Sequence, residues 1–201
     1  MIVEIHKETP SKHHISLGVK ALKKGELIIY PTDTLYGLGC DIHNKSAIDE
    51  IYLLKKMNKK KPLSFICYDF KQVSEYANVS NFAYKTMRYL TPGPYTFILP
   101  ATNKVPKLLK TKQKTVGIRI PDCLFARELV SEFGSPILST SISNSENQYY
   151  SDPLEINDIY RNRISLVFSM GITYSQPSTI IDLRNDKIEI LREGKAVENV
   201  L

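Results

Sequence analysis

Eight residues stand where apolar runs of the chain break off: Thr32 and Thr34, Thr115 and Arg119, Ser139 and Ser141, Ser178, and Arg192. Hydroxyls donate and accept hydrogen bonds, and a guanidinium grips a carboxylate or phosphate through two parallel N–H groups. Such a set suits a small, polar, anionic substrate held among neutral donors. The chain has no G-x-x-x-x-G-K-[ST] phosphate loop, no G-x-G-x-x-G, no H-E-x-x-H and no G-x-S-x-G elbow. Its histidines, His6, His13, His14 and His43, lie near the N-terminus and away from these strand ends. Histidine general-base chemistry therefore has little support.

The cations carry two readings each. Lys55-Lys56-Met57-Asn58-Lys59-Lys60-Lys61 holds five lysines in seven residues. A helix C-terminus favours cations in any case, so the run is either a solvated helix end or an anion-binding rim. As a rim it would hold a triphosphate or an RNA backbone. Arg119 either meets the ligand, or snorkels to a sheet edge, or pairs with Asp122 or Asp33.

Strands must deliver these residues. In Ile28-Ile29-Tyr30-Pro31-Thr32-Asp33-Thr34-Leu35-Tyr36-Gly37-Leu38-Gly39 an apolar strand, Leu27–Tyr30, runs into Pro31, which cannot donate to a ladder. Gly37 and Gly39 read as a glycine-lined turn that lets backbone and ligand approach closely. The blander reading is a strand-to-helix turn with satisfied caps. Further strands are expected at the alternating N-terminus and at Leu63–Tyr68, Tyr95–Leu99, Thr115–Pro121, Pro136–Leu138, Ser165–Ser169, Ser178–Leu183 and Lys187–Leu191. Helices are expected after Ser11 up to Gly25, from a cap at Asn44 or Ser46, at 71–77 and 81–90, and at Leu124–Phe133 before Gly134. A short helix at 105–110 and one at Pro153–Arg161 behind Asp152 complete the set. Tyr149-Tyr150 mark a lid or an interface in the loop 144–151. Interleaved strands and helices predict an α/β fold: a single domain, 1–201, on a twisted mixed sheet with flanking helices.

Composition narrows the setting. A chain of 201 residues, 42% hydrophobic and 24% charged, is ordinary for a globular protein with one sizeable core. No run of about 18 apolar residues predicts a membrane span, and no signal-peptide pattern opens the chain. Cys40, Cys67 and Cys123 are widely spaced, which speaks against a zinc site or disulfide framework and fits a reducing, cytoplasmic location. A net charge of +6 points to an anionic partner, nucleotide or nucleic acid.

Six segments in order resemble the YrdC/YciO family of threonylcarbamoyl-adenylate synthases: Tyr-Pro-Thr-Asp-Thr-Leu-Tyr-Gly-Leu-Gly (30–39), Lys-Pro-Leu (61–63), Thr-Pro-Gly-Pro-Tyr-Thr (91–96), Thr-Val-Gly-Ile-Arg-Ile-Pro (115–121), Ser-Thr-Ile-Ile-Asp-Leu (178–183) and Leu-Arg-Glu-Gly (191–194). The resemblance implies a YrdC-like fold with a basic concave face. It also implies a reaction joining threonine, bicarbonate and ATP into threonylcarbamoyl-adenylate and pyrophosphate, for the t6A modification of tRNA. Mg2+ would accompany ATP, with no protein metal site. By the same resemblance Thr34, Arg119, Ser139 and Ser178 bind threonine. Lys55, Lys61, Thr115, Ser141 and Arg192 lie along ATP, and Lys55 and Arg119 act in catalysis.

The chain departs from the synthase pattern at two motifs, and the asparagine expected before Pro62 is Lys61. The Lys-x-Arg motif reads Lys55-Lys56-Met57, leaving Lys56, Lys59 or Lys60 as substitute cations, and Ser-x-Asn reads Ser141-Ile142-Ser143 with Asn144 one place late. Both departures resemble the YciO branch. The competing readings are a non-catalytic module for tRNA or double-stranded RNA, and a related adenylate-forming or hydrolysing activity.

Overall fold

The strand β2 (Ile28–Tyr30) is buried on both sides, and its alternation divides the core. Ile28 and Tyr30 belong to one apolar cluster with Val19 and Leu22, while Ile29 belongs to another with Ile48 and Ile51. A sheet buried on both faces carries near-continuous apolar strands, and this one does. The computed structural model describes residues 1–59, 61–144 and 148–200. Lys60 and the middle of the 144–151 loop lie outside the described residues.

The other strands are β1 (Ile2–Glu4), β3 (Gly37–Asp41), β4 (Ser64–Ile66), β5 (Tyr95–Pro100), β6 (Thr115–Arg119), β7 (Ile137–Ser141), β8 (Leu166–Ser169), β9 (Thr179–Asp182) and β10 (Glu189–Arg192). They form one mixed sheet in the order β1-β8-β2-β3-β7-β4-β6-β5-β9-β10. β4 runs parallel to β6 and β5 to β9, whereas β3 and β4 both run antiparallel to β7. The fold is α/β, as expected.

Helices α1 (Lys12–Lys23) and α5 (Leu124–Phe133) cover one face through Ile15, Val19, Leu22, Phe125, Leu129 and Val130. The other face lies under α2 (Lys45–Leu54), α3 (Phe70–Tyr76), α4 (Asn81–Leu90) and α6 (Pro153–Tyr160). Local sequence sets their ends. Ser11, Asn44, Asp69, Ser80 and Asp152 each accept a backbone N–H of the first turn. Gly134 closes α5 at φ +79°, a conformation that costs glycine nothing. The expected 105–110 helix is a single 3-10 turn, Lys107–Leu109. Among the described residues, no helix is long and apolar enough to cross a membrane.

The segment read as a glycine-lined turn is different. The chain bends at 31–36 and returns as β3, pairing Tyr30 with Gly37 and Ile28 with Gly39. The glycines serve packing, not a turn. A Cβ on Gly39 would stand 2.7 Å from Ile137 Cγ2 and 2.8 Å from Tyr30 Cε1, and one on Gly37 would stand 3.2 Å from Tyr30 Cζ. The Tyr30 ring therefore lies across both glycines. Gly39 continues a row of small residues, Gly39–Ser139–Ser64–Gly117, at one register of four adjacent strands.

Gly39→Ala is expected to destabilise the fold by about 1–3 kcal/mol, the usual cost of overpacking a close-fitted core. The measurement is urea unfolding, with the midpoint falling at unchanged slope.

Candidate active site

A cleft of about 550 Å³ opens over the row of small residues. Ser139 and Ser64 stand in its wall beside Gly37, where larger side chains would fill the space. Ser139 Oγ accepts from the Tyr30 hydroxyl at 2.7 Å. Burial pushes the Tyr30 phenol far above its usual range, although the Ser139 bond and Arg119 oppose the shift. Tyr30 is a fixed donor, and it leaves the serine's own proton free to point into the cleft.

Arg119 ends β6 and is only 6% exposed. Its Nη2 pairs with Asp33 Oδ1 at 2.5 Å, which is one of the two pairings that the sequence left open. Arg119 also lines the cleft, so it pairs and faces the ligand space at once. Asp33 is held from a second side, because Lys195 Nζ donates to its backbone carbonyl at 2.5 Å. Thr32 Oγ1 donates to Leu35 O at 2.7 Å and accepts from the Thr34 N–H at 3.1 Å, which closes the bend.

Opposite stand Ser178 and Arg192. Ser178 Oγ lies 2.9 Å from Thr96 Oγ1, and Arg192 donates to the Ser178 carbonyl at 2.6 Å and to its Oγ at 3.1 Å. Burial lowers the Arg192 guanidinium from its usual value; Tyr149 acts against this and Arg119 acts with it. Arg119 and Arg192 are thus close enough to repel. The third corner is the lysine run. Lys55 Nζ lies 2.6 Å from Ser143 Oγ and 2.9 Å from the Ser143 carbonyl. Burial brings the Lys55 ammonium down to about 8, and Lys61 adds to the shift. Tyr52 pins the run by donating to the Lys61 carbonyl at 2.9 Å.

The cleft wall includes Lys55, Lys61, Arg119, Ser139, Ser141, Ser178 and Arg192. Thr34 and Thr115 stand outside it. Thr34 is 1% exposed with its hydroxyl 3.1 Å from that of Thr32, which does line the cleft. Thr115 begins β6, at the far end of the strand from Arg119, and meets the Thr111 hydroxyl at 2.8 Å. Of the substitute cations, Lys56 lines the cleft, whereas Lys59 pairs with Asp49 at 2.5 Å. Met57 lines it too and packs against the core with its thioether.

Sequence reasoning missed Thr96, Ser143 and Lys195 as members of this arrangement, and it named Asp33 as one of two partners for Arg119. As for metals, the described lining residues offer hydroxyls, the amides of Asn58 and Asn144, and cations, but no carboxylate. No group of three or more His, Cys, Asp or Glu among the described residues could hold a metal ion. The donor set does not fit a resident Mg2+.

Residues 20–194 match the Sua5/YciO/YrdC family, described as "Telomere recombination". The chain is 38% identical over 192 residues to the uncharacterized protein YciO of Escherichia coli, covering 94% of this chain and 93% of that one. The crystal structure of E. coli YciO overlays at a TM-score of 0.92 with 36% identity, covering 97% and 96% of the two chains. The threonylcarbamoyl-AMP synthase of Vibrio vulnificus is 32% identical over 180 residues, 88% of this chain and 96% of the relative. The structure of P. abyssi Sua5 complexed with L-threonine overlays at 0.90 with 25% identity, covering the whole of this chain and 61% of that one. With sequence and fold agreeing over nearly its whole length, the chain belongs to the Sua5/YciO/YrdC family.

Proposed function

We propose that this chain is a nucleotidyltransferase that makes L-threonylcarbamoyl-adenylate and pyrophosphate from threonine, bicarbonate and ATP, for threonylcarbamoylation of tRNA. The observation that carries the reading is the pairing of cations within one cleft. Arg119 stands near Arg192 among hydroxyls, and Lys55 stands near Lys61 at the lysine run. Like charges held together in a partly buried site are relieved by bound anions. Two such centres suit two anions, a carboxylate and a polyphosphate. The synthase named among the relatives and the Sua5 structure with L-threonine support that pairing of substrates.

Position in the cleft supports the following roles. Arg119, oriented by Asp33, takes the threonine carboxylate between Ser139 and Ser178. Lys55, Lys61, Ser141 and Arg192 meet the nucleotide, and Mg2+ enters on the triphosphate as part of that substrate. The threonine amine takes up CO2 as a carbamate, the carbamate oxygen attacks the α-phosphorus, and pyrophosphate leaves. The chain's contribution is to hold the two reactants in line and neutralise the departing charge. Thr34 acts at one remove by bracing Thr32. The recess of Arg119, Ser139 and Ser178, each less than a tenth exposed, favours a small ligand over an RNA backbone.

The experiment incubates the protein with ATP, Mg2+, threonine and labelled bicarbonate and follows adenylate and pyrophosphate. Threonine-dependent product is expected. Its absence from a folded protein that still binds ATP would falsify the reading. Arg119→Lys keeps a charge opposite Asp33 but loses the fork, and it should raise the KM for threonine about tenfold or more, with stability nearly retained. Arg119→Ala is expected to lose the product and about 3–5 kcal/mol of stability as well, since Asp33 is left unpaired.

Protonation of Lys55 sets a pH dependence. The lysine is cationic below its value of about 8 and neutral above it, so ATP affinity should fall as pH rises through that point. The full loss is that of one charge-assisted hydrogen bond, about 1.5–3 kcal/mol. Calorimetric titration with ATP across the range checks this, and Lys55→Arg should flatten the profile.

A further inference from the structure

The contact between Lys55 and Ser143 does more than place a cation. Both side chains line the cleft. An ammonium has only protons to offer the two Ser143 oxygens. Nζ donates to both, to the carbonyl at 2.9 Å and to Oγ at 2.6 Å; once neutral, the amine keeps the first bond and can turn its lone pair to the Oγ proton across the second. In that form the amine is a base seated on a hydroxyl, the arrangement that activates a serine. The surroundings favour it. The cleft that holds Lys55 also carries the apolar side chains of Leu35, Met57 and Leu63, and none of its described lining residues is a carboxylate that would pair with the ammonium. Burial and Lys61 bring the neutral form within reach of ordinary pH, with the midpoint at about 8. Ser143 is itself anchored, paired with Tyr149 and preceded by Ile142, whose N–H donates to the Tyr36 carbonyl at 3.0 Å.

We propose that Ser143 is a nucleophile and Lys55 its general base, for hydrolysis of a mixed anhydride between a carbamic or carboxylic acid and a nucleoside monophosphate. The nucleotide part of that substrate rests on the synthase reading, whereas the dyad stands on its own geometry. Ser143 Oγ attacks the carbonyl carbon while its proton passes to Lys55 Nζ. The carbon–oxygen bond to phosphate breaks, and the nucleoside monophosphate leaves with the electron pair. Lys55 then releases its proton to solvent. Water, deprotonated by Lys55, attacks the acyl-serine; Oγ departs and takes the proton back. One water is consumed, and one monophosphate and one free acid are formed.

The test uses p-nitrophenyl acetate, with neither ATP nor threonine present. A burst of p-nitrophenolate approaching one equivalent of protein is expected, with the acetyl group mapped to Ser143 by peptide mass spectrometry. Its rate should rise with pH through about 8. Ser143→Ala should abolish the burst, Ser143→Cys should keep it, and Lys55→Arg should slow it about 100-fold, the scale of general-base catalysis. No burst from the folded protein, acetyl groups on Lys55 instead, or an undiminished burst in Ser143→Ala would each overturn the proposal. No Ser143 burst from the unsubstituted protein, with threonine-dependent pyrophosphate release intact, sinks the dyad alone. A Ser143 burst without synthase product sinks the synthase reading alone.

Discussion

The site depends on one aromatic ring. Tyr30 lies across Gly37 and Gly39 and donates its hydroxyl to Ser139, tying β2, β3 and β7 together at a single point. Because side chains alternate along a strand, a slip of one residue in either pairing would turn Ser139 and Ser141 to the opposite face. The buried phenol has no water to fall back on, so breaking its bond leaves a polar atom unsatisfied in the interior. Register, cleft floor and donor orientation are therefore set by one contact.

Around that floor the structure accepts unfavourable electrostatics. Arg192 is depressed by burial and by Arg119, and Lys55 by burial and by Lys61. Asp33 offsets part of the charge, with its side chain and that of Arg119 about nine-tenths buried. A buried pair of this kind is weak evidence of stability and a sound way to fix a side chain in place. Preorganisation explains the arrangement better than fold stability does. The cations are held close together before any anion arrives, so less reorganisation remains for binding.

Much of this was legible in the chain. The apolar runs and the caps at Ser11, Asn44, Asp152 and Gly134 are local signals, and local physics decides them. The strand-end hydroxyls and Arg119 were visible for the same reason, as polar residues closing apolar runs. β3 was hidden because Gly37 and Gly39 look like a turn unless the Tyr30 ring above them is known. Thr96 meets Ser178 across 82 residues and Lys55 meets Ser143 across 88, so no spacing rule reaches them. That Thr34 and Thr115 lie outside the cleft lining was not legible, because a residue type does not say which way its side chain faces.

The parallel pairing of β5 with β9 gives the chain a calendar. Among the described cations that line the cleft Arg192 is translated last, and until it leaves the ribosome Arg119 has no second guanidinium beside it. Long-range parallel pairing also forms late for entropic reasons. A nascent chain that has already folded β2 through β7 thus presents a trough that lacks one of its five described cations. The charge of the cleft is complete only once β10 is in place.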